Sequence, residues 1–261
     1  LSIPAERDLT VYVDKRELIT LMTLGAEPEL LVLGYLLNQR LIDHVGQIAS
    51  ITVDWEVGAA AVKTHDGIER IEQRTAKKVV TTGCGQGSVF GGLMDQLDRI
   101  ALPAACLTQT QLEGILEAIR LQDSIYKSAG SVHGCAVFRG AQMLMFVEDV
   151  GRHNAIDTLA AWMAMHGVLS AEQANDAQAL VFYTTGRLTS EMIIKSAQMG
   201  IAIVVSRSGI TQMGHAIAAQ IGLCAIGRAM NKRFLVYTAA QRLRLHAENQ
   251  GFAAQTSAPN P

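Results

Sequence analysis

Apolar and polar residues alternate from Leu9 to Met22 around the charged triplet Asp14-Lys15-Arg16, which predicts two strands joined as a hairpin. Pro28 to Leu37 is apolar on almost every side, the mark of a short helix buried on most of its faces. Strand-like segments follow at Ile48 to Val57, Ala59 to Thr64 and Ile68 to Arg74. The last two flank His65-Asp66-Gly67, where Asp-Gly is a strong turn signal. From Thr81 to Gly92 the periodicity is lost. Thr110-x-x-Glu113 has the form of a capping box and opens a predicted helix to about Tyr126. Ala141 to Val147 reads as a strand, and Asn154 to His166 as a helix with Asn154 at its N-cap.

The final third is the most regular. Leu180-Val-Phe-Tyr-Thr184 predicts a strand, Ser190 to Met199 a helix stopped by Gly200, and Ile201 to Ser206 a second strand. Thr211 to Ile221 predicts another helix stopped by Gly222, with strands beginning at Leu223 and Phe234. Strands alternating with helices over short connections specify a parallel sheet. The expected fold class is therefore α/β, a parallel or mixed C-terminal sheet with helices, preceded by a smaller N-terminal α+β portion. The expected divisions are 1–80, the glycine-rich loop 81–92, the α/β region 93–246, and a disordered tail 247–261.

Composition narrows the function. Hydrophobic residues are 49 % of the 261 positions, enough for a substantial core, and the formal net charge is -2. Duplex nucleic acid needs a large basic excess, so no nucleic-acid partner is expected. The longest apolar runs fall well short of the ~20 residues that cross a bilayer, and the opening residues carry no apolar signal core. A cytoplasmic protein without membrane contact is expected. The four cysteines, at 84, 106, 135 and 224, form no Cys-x-x-Cys pair, so neither a disulfide framework nor a structural metal site is indicated. Cys106, Cys135 and Cys224 lie in apolar stretches where a buried, inert thiol is expected.

Cys84 differs, because Thr81 to Gly92 holds one thiol among five glycines. Such a loop could present an exposed thiol to partners, which as the thiolate attacks a donor persulfide. It could equally be a tight bend around a buried small residue. A second site is expected where the strand-to-helix loops of the parallel unit gather. These are Thr184-Thr-Gly-Arg187, Ser206-Arg207-Ser208-Gly209, and Gly227 to Arg233, each carrying arginine. Helix N-termini and guanidinium forks suit phosphate there, against the plainer reading of ordinary caps at Thr189, Ser190 and Thr211. A third cluster, Glu148-Asp149-Val-Gly-Arg152-His153-Asn154-Ala-Ile-Asp157, suits either a pocket or a buried salt-bridge network. His133 suits catalysis or a hydrogen-bonded structural place.

Taken in order, these stretches resemble the formate dehydrogenase accessory sulfurtransferase family (FdhD-like). The match runs through Thr82-Gly-Cys-Gly85, Gly130-Ser-Val-His133, Glu148-Asp-Val-Gly-Arg-His153 with Asp157, Ser190-Glu-Met192 with Lys195, and Val236-Tyr-Thr238. Leu33-Gly-Tyr-Leu-Leu37 fits too, and coverage extends to about Leu243. The resemblance implies a cytidine-deaminase-like fold, a homodimer, and sulfurtransferase activity. Sulfur would pass from a cysteine desulfurase to the molybdenum bis-molybdopterin guanine dinucleotide of the formate dehydrogenase catalytic subunit. Cys84 would form the persulfide. Ala229, Met230, Asn231, Lys232, Arg233 and Phe234 would contact the bound cofactor, with Arg187, Arg207, Ser208, Gly209, His133, Arg152 and His153 as further candidates. Family members commonly show Cys-x-x-Cys in the loop, and Gly87 stands at the second position here.

Two rivals remain. A cofactor-binding chaperone would hold the dinucleotide without carrying sulfur. A nucleotide-processing hydrolase of the zinc deaminase type would need His-x-Glu followed by Pro-Cys-x-x-Cys. The chain's His246-Ala-Glu248 has no cysteine after it.

Overall fold

The computed structural model describes residues 3–69, 71, 79–80, 87–88, 97, 100–169 and 178–246. The N-terminal hairpin forms as expected, β1 (Arg7–Val13) and β2 (Arg16–Thr23), with Asp14 and Lys15 at positive φ in the turn. Helix α1 (Pro28–Asn38) follows, then β3 (Ile48–Asp54) and β4 (Ala59–Thr64). These strands make a four-stranded sheet in the order β2-β1-β4-β3, with β4 parallel to β1. Its apolar face and α1 share one core that includes Leu9, Val11, Leu21, Leu31, Val32 and Leu36.

Asp66-Gly67 is a turn, with Gly67 at φ +79° and its N–H donated to Thr64 Oγ1 at 2.9 Å, but it joins no pair of strands. The expected strand Ile68 to Arg74 does not form over its described residues, since Ile68 is irregular and Ile71 helical. β4 already pairs on both edges, with β1 and β3, and has no edge left for another strand.

Short strands β5 (Val79–Val80) and β6 (Gly87–Ser88) pair antiparallel. Strand β7 (Leu107–Thr108) leads into α2 (Gln109–Leu121), and α3 (Ile125–Ala129) follows. The capping box lies two residues earlier than its sequence signal, at Thr108 and Gln111, whose side chain accepts from the Thr108 N–H at 2.9 Å. The helix expected to reach Tyr126 ends at Leu121, and Ser124 caps a separate one.

The remaining elements are β8 (His133–Arg139), β9 (Gln142–Asp149), α4 (Arg152–Met165), β10 (Leu180–Thr184), α5 (Ser190–Gln198), β11 (Ile203–Ser206), α6 (Gln212–Gln220), β12 (Cys224–Met230), β13 (Arg233–Val236) and β14 (Leu243–Arg244). They build a six-stranded mixed sheet in the order β13-β12-β11-β10-β8-β9, parallel at β10, β11 and β12. Every residue of β11 is buried, as a parallel strand covered on both faces requires. Cys135, Val137, Phe182 and Val204 face α4, α5 and α6, while Ala136, Phe138, Tyr183 and Val205 face α2.

The third expected basic loop is a correction. Gly227 to Met230 continues β12, and Asn231, at φ +55°, turns the chain straight into antiparallel β13. No helix follows, so residues 227–233 form a hairpin with alternating faces rather than a phosphate loop. Cys106 is also corrected: it is only partly buried, in an open groove with Thr108, Gln111 and Arg242. Cys135 and Cys224 are buried as expected.

The two sheets meet through α1 and α4. At their crossing, a Cβ on Gly34 would sit 1.7 Å from the Asp157 carbonyl oxygen, so the helices touch backbone to backbone. Gly34→Ala should therefore force the helices apart and cost on the order of 3 kcal/mol, the upper range for overpacking. Urea unfolding followed by circular dichroism measures the loss.

Candidate functional site

The C-terminal ends of β9, β10, β11 and β12, the start of β8, and the N-termini of α4, α5 and α6 all lie at one end of the six-stranded sheet. On the face covered by α2 this end holds a cavity of about 210 Å³. Tyr126, Phe146 and Tyr183 supply aromatic surface there, and Thr185, Arg207 and Asn231 supply polar groups. The Arg207 guanidinium lies over the Tyr126 ring, 5.6 Å from its centre. Of the other lining cations, Arg120 is paired with Glu117, and Lys127 donates to the Arg120 carbonyl at 2.6 Å and to that of Gln122. Arg207 is thus the cation most available to a ligand.

The wall is held by capping. Glu148 accepts the N–H groups of Ile125 at 2.6 Å and Tyr126 at 2.8 Å, which fixes the start of α3 and the Tyr126 ring. This is the N-terminal carboxylate arrangement that a helix favours. Ser208 Oγ donates to the Thr185 carbonyl at 2.9 Å, and the Arg207 N–H to the Thr184 carbonyl at 3.0 Å, tying the two strand-end loops together.

The other face of the same edge carries the third cluster. Asp149 accepts from Leu24 N at 3.1 Å, Gly151 N at 2.9 Å and Asn154 Nδ2 at 2.7 Å, and from the Thr23 hydroxyl. Gly151 is the N-cap of α4, not Asn154, whose amide is drawn to Asp149 and to the Met22 carbonyl at 2.6 Å. Asp157 accepts from Asn38 at 2.7 Å and from Lys195 at 2.9 Å, and Asp157 and Lys195 are both fully buried. Glu191 lies 3.5 Å from Lys195 and 3.4 Å from His153 Nε2. The salt-bridge network, one of the two sequence alternatives, forms at Asp157 with Lys195 and Glu191, while Asp149 is held by hydrogen bonds to neutral groups and His153 stays neutral beside it. It leaves Arg152 out.

The candidates therefore divide. Arg207, Ala229, Met230 and Asn231 line the cavity. Ser208 and Gly209 support it through backbone and hydroxyl bonds. Lys232 and Arg233 are exposed on the hairpin, Phe234 packs into the α2-side core, and Arg187 is exposed on its loop. His133, Arg152 and His153 lie on the opposite face. Cys84 lies outside the described residues, as does the tail 247–261. Thr185, part of an expected strand-end loop, does line the cavity, whereas Tyr126 and Phe146 were missed. The Glu148 cap at the start of α3 and the pairing of β8 with β9, which sets Phe146 opposite Ala136, put them there.

Burial pushes the Cys135 and Cys224 thiols up to about 12, so both stay protonated and unreactive at neutral pH. Burial, with Lys195, Arg152 and His133 nearby, holds the His153 imidazole down to about 2. Burial and the charges of Arg152 and Arg187 lower His133 as well. Among the described residues no group of three or more His, Cys, Asp or Glu side chains is placed to hold a metal, and no helix is long and apolar enough to cross a membrane.

A depressed histidine has a definite pH signature. Above the ordinary value of 6.5 the folded and unfolded chains hold His153 in the same neutral form. Below it the unfolded chain gains a proton that the folded one refuses, so stability falls as pH drops. The slope is about 1.4 kcal/mol per pH unit for one histidine. Between pH 6.5 and 5, urea unfolding of His153→Gln should show an acid slope shallower than wild type by about one proton.

The FdhD/NarQ family matches residues 4–244. A sulfur carrier protein FdhD of Halalkalibacterium halodurans is 28 % identical over 244 residues, covering 92 % of this chain and 88 % of that protein. The sulfur carrier protein FdhD of Bacillus subtilis strain 168 is 30 % identical over 248 residues, covering 92 % and 89 %. In fold, the chain is similar to a crystal structure described as a formate dehydrogenase accessory protein from Desulfotalea psychrophila. The TM-score is 0.70 at 24 % identity, over 92 % of this chain and 89 % of the other. With the match running from the first hairpin to the last short strand, the chain belongs to the FdhD/NarQ family.

Proposed function

We propose that this protein is a cytoplasmic, homodimeric sulfur carrier that takes sulfur from a cysteine desulfurase and holds it as a persulfide on Cys84. It then passes the sulfur to the molybdenum bis-molybdopterin guanine dinucleotide destined for formate dehydrogenase. The cofactor is substrate here, not a resident group. The relatives' name, sulfur carrier protein, supports the transfer. The fate of the other thiols supports Cys84. Cys135 and Cys224 are sealed in apolar cores as thiols, and Cys106 lies in the separate groove beside Arg242.

The observation that carries the nucleotide part is the cavity at the strand ends. Its volume of about 210 Å³ is below the roughly 300–1,000 Å³ of pockets that enclose a whole drug-sized ligand. It suits one ring system, with the attached phosphates left at the mouth. Tyr126 and Phe146 give the aromatic surface that a purine packs against, and Asn231 and Thr185 give hydrogen-bonding groups for its edge. Arg207 stands where a phosphate would leave the ring.

Mass spectrometry after incubation with a desulfurase and cysteine should show one added sulfur, located on Cys84 and absent from Cys84→Ala. An unmodified wild-type chain would favour the chaperone that binds cofactor without carrying sulfur. Guanosine diphosphate should bind wild type in calorimetry and Arg207→Glu at least tenfold more weakly, with thermal stability nearly unchanged. No binding at millimolar concentration would discard the cavity as the nucleotide site.

Gly87 sets a further expectation. In a dithiol loop a neighbouring thiolate attacks the inner sulfur of the persulfide, forming a disulfide and releasing hydrosulfide. With glycine there the attacker is absent, so the loaded protein should keep its sulfur in thiol-free buffer. A loaded Gly87→Cys variant should release hydrosulfide and show the intact mass of an internal disulfide.

A further inference from the structure

Arg152 opens α4 with only 4 % of its surface exposed. Its Nε has no hydrogen-bond partner, and no hydrogen bond or ion pair to its guanidinium is found among the described residues. A buried charge without a counter-charge is costly, and the acids of its own motif are committed elsewhere. Glu148 caps α3, Asp149 ties Thr23, Leu24, Gly151 and Asn154, and Asp157 holds Lys195 and Asn38. Glu191 pairs with Lys195.

Next to Arg152 lies His133, whose Nδ1 is likewise buried and without a partner. A Cβ added at Gly186 would come 2.8 Å from Arg152 Cδ and 3.4 Å from His133 Nδ1, so both side chains lean on the bare Cα of that glycine. α4 is a 14-residue helix, and the N–H of its cap residue, Gly151, donates to the Asp149 carboxylate at 2.9 Å. Arg152 itself is the first residue of this helix, at the positive end of its dipole. A guanidinium and an imidazole, each with a buried nitrogen that lacks a partner, thus meet beside a helix N-terminus, and no carboxylate pairs with either among the described residues. This spot lies on the α4 face of the sheet, across the Gly134 and Thr185 edge from the nucleotide cavity.

We propose that Arg152 and His133, at the start of α4, bind a small sulfur anion of the hydrosulfide or persulfide type. That the anion is sulfur rests on the sulfur-carrier reading; that it is an anion rests on the geometry. Phosphate brings several strongly hydrated oxygens, each needing a donor, and this spot offers few. A singly charged sulfur anion is less strongly hydrated than phosphate and suits a guanidinium, itself weakly hydrated.

The test uses the full chain, anaerobically, with NMR observation of the Arg152 Nε–H and the His133 ring. Sodium hydrosulfide should shift both signals saturably in wild type and in Cys84→Ala, and sodium phosphate should not. Arg152→Gln and His133→Asn should each weaken hydrosulfide binding at least tenfold. A wild-type chain loaded with one sulfur on Cys84, shifted without added hydrosulfide, would identify the protein's own persulfide as the anion. No shift in that arm would identify free hydrosulfide. Thermal unfolding separates a structural arginine from a binding one. Without anion, Arg152→Gln should melt at or above the wild-type temperature, and hydrosulfide should raise the melting point of wild type only. If Arg152→Gln does not fold, or melts well below wild type, the arginine is structural and the proposal fails. It fails too if hydrosulfide gives no saturable shift, if phosphate binds more tightly, or if His133→Asn binds as wild type does. Mass spectrometry of Cys84 reads the carrier function independently, so either idea can fall alone.

Discussion

The structure hangs on one buried ion pair. Lys195 of α5 and Asp157 of α4 meet at 2.9 Å with neither exposed, and Asn38 of α1 completes the carboxylate's shell. Such a pair adds little net stability over an apolar pair of similar volume, yet removing one partner costs about 3–5 kcal/mol because the other is stranded. Its importance lies in placement. Three helices from distant parts of the chain are locked in rotation about their axes, and α4 is pinned where α1 crosses it at Gly34. With α4 fixed there, its first residue, Arg152, must lie over Gly186.

The acids of the Glu148 to Asp157 segment all act as connectors, and each reaches a different element. Glu148 reaches α3 and so sets the cavity wall. Asp149 reaches the end of β2, binding the N-terminal sheet to the start of α4. Asp157 reaches α1 and α5. One short stretch thereby aligns both faces of the strand edge, the aromatic cavity on one side and the unpaired arginine on the other. Gly134 and Thr185, joined by a 3.0 Å hydrogen bond, are the seam between them.

Much of this was legible in the sequence. The first hairpin and α1 were readable from their apolar patterns, and the β10-α5-β11-α6-β12 unit from its regular alternation and the glycines, Gly200 and Gly222, that stop its helices. Legibility failed where a local signal competed with a tertiary partner. Asn154 has the chemistry of an N-cap, but Asp149 and the Met22 carbonyl outbid the helix for its amide. Residues 227–233 look like a third strand-to-helix loop, and only the β12–β13 pairing reveals a hairpin. Arg207 was legible as a cavity-lining residue because a basic group after a parallel strand carries its own logic, whereas Ala229 to Asn231 came only from the family resemblance. Tyr126 and Phe146 were not legible, because nothing local distinguishes an aromatic ring at a cavity from one in a core. Cys84, the most legible chemical feature, lies outside the described residues, so its place relative to either face of the edge comes from neither source.

The β12–β13 hairpin makes the cavity wall editable. Its residues alternate between the sheet's interior and the solvent, with Ala229 buried and Met230 and Asn231 exposed. β13 is also the last strand of its sheet, with a single neighbour. Side chains at the rim can therefore change size or charge without repacking what lies beneath. In a lineage whose partner enzymes diverge, this is the part of the protein free to follow them while the locked helices behind it stay as they are.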